Sequence, residues 1–134
     1  MDWLNKGKEL LSEEEVESFY LYAYSQYNSG DWTEAADVFR LLCTRRPLEP
    51  RFWFGLAAAL QEGSSYSDAL HAWAMAALLK NEDPYPHFHA AECYFSVGDH
   101  EEAGKALQEA ALKIETHHPL QEKISLLREQ WRVA

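Results

Sequence analysis

SFYLYAYSQYNSGDWTEAADVFRLLC, residues Ser18 to Cys43, is the stretch whose pattern returns twice further along the chain. Ala35, Ala69 and Ala103 stand 34 residues apart, as do Ala23, Ala57 and Ala91. Trp32, Tyr66 and His100 keep the same interval, and so do Phe39, Trp73 and Leu107, and Gly30, Ser64 and Gly98. A fixed interval of this length marks stacked helical hairpins, with small residues where helices approach and bulky ones where they plug the gap. The fold class that follows is all-α.

Local chemistry places the hairpins. Ser12-Glu13-Glu14-Glu15 reads as a capping box, so a first helix is predicted from about Glu13 to Asn28, broken at Ser29-Gly30. Asp31 with Glu34 opens the second helix, and Ser65 with Asp68 and Asp99 with Glu102 repeat that start in register. Arg45-Arg46-Pro47-Leu48-Glu49-Pro50 and Asn81-Glu82-Asp83-Pro84-Tyr85-Pro86 are proline-punctuated breaks between repeats. Beyond His117-His118-Pro119, the residues Leu120, Ile124, Leu127 and Trp131 form one apolar stripe, a terminal helix covering the exposed end of the stack. The expectation is one domain over 1–134, with repeats at about 16–49, 50–83 and 84–117 and a capping helix at 119–134. Residues 1–15, with Trp3, Leu4, Leu10 and Leu11, read either as a frayed tail or as a short amphipathic piece docked on the array or on a second subunit.

Composition removes several functions. A net charge of −10, with Arg45-Arg46 as the one basic pair, repels phosphate backbones, so no nucleic-acid partner is expected. The same charge discourages anionic membrane surfaces, and no apolar run nears the ~20 residues that span a bilayer. The start MDWLNKGKELL lacks the apolar core of a secretory signal, which points to a cytoplasm. Cys43 and Cys93 are too few for a disulfide framework and fall in apolar-facing pattern, as core thiols. His89 and Cys93, spaced i, i+4 near His87, let a metal site be drawn, but no further ligands stand at set spacing; packing or groove histidines are the reading, with no metal or cofactor. No phosphate loop or activated nucleophile is visible, so an enzyme is not expected.

The binding argument comes from the faces of the first helices. Trp53, Leu56, Ala57 and Leu60 form a seam toward the partner helix, and Phe19, Tyr22, Ala23 and Gln26 are their counterparts one period back. On the face left over stand Tyr20, Tyr24 and Tyr27, at i, i+4, i+7. Phe54 and Phe88 are the period-equivalents of Tyr20, and Phe95 of Tyr27. An ordinary solvent face would be charged; an aromatic one suits a binding surface, although rings at helical spacing also serve as a second core layer. On the binding reading, Tyr27→Ala or Phe88→Ala weakens a partner without loss of helicity.

The period, the small-residue positions and the Gly-x-aromatic-x-x-Ala core resemble the tetratricopeptide repeat over residues 16 to about 117. His87 replaces the aromatic usual at the start of the third repeat, and Pro119 lies past the place of a repeat-ending proline. The resemblance implies a right-handed superhelix whose first helices line a concave groove. Grooves of this kind that clamp acidic chaperone tails use Lys and Asn where this chain has Tyr20, Phe54 and Phe88, with Arg51 the one nearby cation. An extended peptide with spaced aliphatic or proline side chains is favoured instead.

The strings LYAYSQYNSGDWTEAADVFRLLC, RFWFGLAAALQ and PHFHAAECYFSVGD resemble more closely the class II chaperones of bacterial type III secretion, which hold hydrophobic translocators before export. That resemblance implies three repeats, an extra C-terminal helix, and a groove for an extended N-terminal segment of the translocator. On matching positions the groove would use Tyr20, Tyr24, Tyr27, Arg51, Phe54, Tyr85, Phe88, His89 and Phe95. The family's longer leading segment, implicated in dimers, has only residues 1–15 to match it here, so a homodimer stays open. The implied role is a cytoplasmic, non-catalytic export chaperone; a scaffold joining folded proteins of the secretion system is the alternative.

Overall fold

A computed structural model describes residues 10–133. Within them lie seven helices: α1 Glu13–Asn28, α2 Trp32–Arg45, α3 Pro50–Glu62, α4 Tyr66–Leu79, α5 Tyr85–Ser96, α6 His100–Leu112 and α7 Pro119–Val133. Each packs on the next in the chain, so α1–α2, α3–α4 and α5–α6 are three stacked hairpins and α7 closes the end.

The predicted starts carry the chemistry that makes them. Ser12 Oγ accepts from the Glu15 amide at 3.1 Å while Glu15 Oε1 accepts from the Ser12 amide at 3.1 Å, a complete capping box. Asp31 and Asp99 accept the amides of Glu34 and Glu102 at 3.3 and 3.2 Å. Ser65 departs from the expectation: it occupies the cap position, but its side chain accepts no capping bond.

All three hairpin turns share one geometry. The amides of Gly30, Ser64 and Gly98 donate to the carbonyls of Tyr27, Gln61 and Phe95, and those of Asp31, Ser65 and Asp99 donate to Gln26, Leu60 and Tyr94. This paired bonding ends a helix only if the first donor residue is left-handed, and φ is +87° at Gly30 and Gly98 and +64° at Ser64. Ser64 is therefore the strained member of the set. Ser64→Gly is expected to raise stability by about 0.5–1 kcal/mol in urea unfolding, because the left-handed penalty on a side chain exceeds the added freedom of glycine in the unfolded chain. A lower midpoint would contradict that account.

The core divides in two. One cluster runs from Leu11 and Val16 through Phe39, Leu42, Phe52 and Leu56 to Trp73, Ala76 and Cys93. The second joins Phe88, Ala91, Leu107 and Ala110 to Leu120 and Ile124 of α7, with Leu127 and Trp131 packed against it, as the apolar stripe predicts. No polar or charged residue is buried among the described residues. Cys43 and Cys93 are buried free thiols, and burial pushes both up to about 12, so neither is a thiolate at neutral pH.

Two first-helix residues differ from the pattern. Tyr22 is exposed at the hairpin edge, where its hydroxyl donates to Glu34 at 3.0 Å, so it bridges α1 and α2 from outside. Phe52, assigned to neither face by the sequence, is among the most buried side chains. Trp3 and Leu4 lie outside the described residues. Leu11 is 4% exposed, and its carbonyl accepts from Arg46 Nη2 at 2.8 Å, so the segment is fastened where it enters α1.

Candidate functional site

Five of the expected site residues surround one cavity. Tyr20, Tyr24 and Tyr27 of α1 face Arg51 and Phe54 of α3 across a hollow of about 380 Å³, with Gly55 and Ala58 on the α3 side. The tyrosines lie along α1 as a chain of rings, Tyr20 to Tyr24 at 5.6 Å between centroids and Tyr24 to Tyr27 at 6.3 Å. Tyr20 also meets Phe39 and Phe52 at 6.1 and 5.6 Å, which fixes the inner end of the row. Burial, reinforced by Tyr24, raises the Tyr20 phenol above its usual value; burial and then Glu62 do the same for Tyr27. Both stay protonated at neutral pH and offer a donor inside an apolar hollow.

Arg51 is held in place. Its guanidinium lies 4.7 Å over the Tyr20 ring and 5.2 Å over Phe52, and pairs with Glu17 at 3.0 Å and Glu49 at 3.4 Å. Phe54 stands edge-on to Trp73 at 5.7 Å. Trp73 then carries the site toward the third repeat: His89 stacks on it at 4.9 Å, and Tyr85 lies 6.2 Å from His89. Here the rings give way to a polar node. Trp73 Nε1 donates to Gln61 Oε1 at 2.9 Å, Gln61 Nε2 donates to Glu92 Oε1 at 3.0 Å, and His89 Nδ1 lies 2.7 Å from the same oxygen. Burial raises the Glu92 carboxyl, but the hydrogen bonds and charge of His89 and Gln61 outweigh it and leave it below the usual carboxylate value. Whatever Glu92 adds to stability is thus present at neutral pH and fades as acid protonates it.

Two expected residues are elsewhere. Phe88 is 4% exposed, inside the second core cluster, and is a packing residue in this chain. Phe95 stacks on His100 at 4.5 Å and on Trp131 of α7 at 4.6 Å, so the terminal helix occupies the side that Tyr27 keeps open. Period-equivalence assumes equivalent neighbours, and the last repeat has α7 instead of another hairpin.

The sequence reading also missed part of the lining. Phe39 and Trp73, assigned to the core, are floor residues of the cavity as well. They show through because Gly55 and Ala58 are small where the equivalent positions elsewhere carry Leu21, His89, Tyr24 and Glu92. That pair of small residues was the available signal. Lys80 also lines the cavity, so Arg51 is not its one cation. A larger hollow, about 1020 Å³, lies between α4, α5 and α6, with Glu101, Glu102 and Glu109 on its border. Among the described residues no three His, Cys, Asp or Glu side chains gather as metal ligands, and no helix is long and apolar enough to cross a membrane.

Comparison with known proteins agrees with this architecture. The tetratricopeptide repeat family profile matches residues 16–47 and 50–83. Low calcium response locus protein H of Yersinia pestis is 35% identical over 97 residues, which cover 72% of this chain and 58% of that relative. The chain therefore spans little more than half the length of this curated relative. The Yersinia enterocolitica type III secretion chaperone SycD, solved in complex with a peptide of the translocator YopD, superposes with a TM-score of 0.84 at 31% identity, covering 91% of this chain and 95% of that one. PcrH of Pseudomonas aeruginosa, solved with the chaperone binding region of PopD, gives 0.84 at 29% identity over 92% and 95%. Three hairpins in one register, a closing seventh helix and near-complete overlap with these structures lead to one assignment: the chain belongs to the tetratricopeptide-repeat family of type III secretion translocator chaperones.

Proposed function

We propose that this protein is a cytoplasmic, non-catalytic type III secretion chaperone that holds an extended, partly hydrophobic N-terminal segment of a translocator in the ring-lined groove. The observation that carries this reading is the cavity between α1 and α3, where Tyr20, Tyr24, Tyr27 and Phe54 present apolar area and phenol donors that no helix among the described residues covers. Support also comes from SycD and PcrH, relatives of the same fold solved with translocator peptides.

A translocator is membrane-active, and its free apolar segments would aggregate or insert early. An extended segment suits the groove because its alternate side chains can enter pockets between rings while its backbone meets hydroxyls. Each aliphatic anchor so buried contributes about 2 kcal/mol, an affinity that shields the cargo and still permits release. The net charge of −10 keeps the complex soluble. Tyr85 and His89 extend the groove toward the third repeat, and Arg51 orders its entrance.

The test is titration of a translocator N-terminal segment into wild-type protein and Tyr24→Ala. Tyr24 is 47% exposed, so its loss should leave helicity and melting unchanged. Affinity should fall about tenfold, the effect of losing ~1.4 kcal/mol at an aromatic anchor. Undiminished affinity would remove Tyr24 from the site, and a guest bound only when folded would favour a scaffold.

A further inference from the structure

Resting on the groove reading, we infer that the cavity selects a guest whose apolar anchor is flanked by a carboxylate, and that Lys80 is the specificity-determining residue that reads it. Two charged side chains line the hollow, Arg51 and Lys80, and both are cations in a chain of net charge −10. They are not equally available. Arg51 is compensated by Glu17 and Glu49, and its guanidinium carbon lies 4.7 Å from the Tyr20 ring centre. Among the described residues, Lys80 has neither an ion pair nor a side-chain hydrogen bond.

The repeat explains why. Lys80 stands one period after Arg46. Arg46 grips the segment leading into α1, donating to the Leu11 carbonyl at 2.8 Å and to Glu13 at 3.3 Å. One period after Glu13 the chain has Pro47, so the carboxylate that would occupy Lys80 is missing. A cation at a position that one repeat earlier holds a neighbouring segment and an acid is left bordering an aromatic hollow. Lys80 is exposed where it borders that hollow, so its ammonium is open to a charge-assisted contact from a guest acid.

The charge distribution also singles out Lys80. Glu62 lies near Tyr27 and Glu92 beyond Trp73, away from the Arg51–Lys80 end. Glu17 and Glu49 balance Arg51 at its own end, so Lys80 is the uncompensated cation of the lining and the point to which an acidic flank is drawn.

The experiment uses the whole protein and a synthetic peptide library in which one leucine sits between prolines and its flanking positions are varied among Asp, Asn and Lys. Wild type should retain the best Asp peptide about fivefold more tightly than its Asn twin, a difference that shrinks in high salt. Lys80→Gln should bind the two alike, and Lys80→Glu should prefer the Lys peptide. Equal binding of Asp and Asn peptides by wild type, or an Asp preference that survives Lys80→Gln, overturns the inference. If Tyr24→Ala still weakens those peptides in either case, the groove reading stands without it. Failure of wild type to retain any peptide overturns both.

Discussion

Phe88→Ala should unfold the third repeat rather than empty a binding site. Phe88 is 4% exposed and shares one core cluster with Ala91 and Leu107 and with Leu120 and Ile124 of α7. Truncating a phenylalanine so placed costs about 3–5 kcal/mol, from lost transfer energy and the cavity left behind. Urea unfolding should show that drop together with detachment of α7, and Phe88→Leu should recover much of it because most of the volume is kept. A stable Phe88→Ala protein that merely bound its guest less well would restore Phe88 to the groove and contradict the packing described above.

Gly55→Ala should also destabilise, against its helix propensity. In an open helix the change would gain about 0.5–1 kcal/mol. Here an added Cβ would stand 2.3 Å from Phe39 Cε1, far inside van der Waals contact, and Phe39 is 1% exposed. The ring must strain its buried neighbours or swing into the cavity it lines. Overpacking of this kind costs about 1–3 kcal/mol, so the expected outcome is a lower unfolding midpoint and weaker guest binding together. An equally stable variant with unchanged affinity would show that Phe39 has room, and that the floor of the cavity is softer than its burial implies. The next repeat answers the same crowding differently: at the equivalent positions Trp73 meets His89, and the two rings stack at 4.9 Å.

Much of this architecture is legible in the residues alone, for physical reasons that differ from element to element. The hairpin turns are readable because a left-handed position demands glycine, and Gly30 and Gly98 supply it while Ser64 betrays the third by its spacing. The terminal helix is readable because Leu120, Ile124, Leu127 and Trp131 cannot remain in water on one stripe. The row Tyr20, Tyr24 and Tyr27 is readable because i, i+4, i+7 is a property of one helix and needs no knowledge of its neighbours. Phe88 and Phe95 were misplaced by the opposite circumstance: their surroundings depend on α7, which does not repeat the contacts made by the hairpins before it. Lys80 escaped notice for a similar reason: Arg46, one period earlier, is occupied by Glu13, and the counterpart of Glu13 is Pro47.

Site-specific photocrosslinking tests the central claim most directly. A benzophenone side chain in place of Tyr24 sits at the cavity between α1 and α3, and one in place of Leu78, which is exposed on α4 and borders the larger hollow, serves as the contrast. With a translocator co-expressed, the Tyr24 position should crosslink to the N-terminal segment of the guest and the Leu78 position should not crosslink to that segment. The reverse pattern would mean that the rings of α1 and α3 are not where the proposed guest is held.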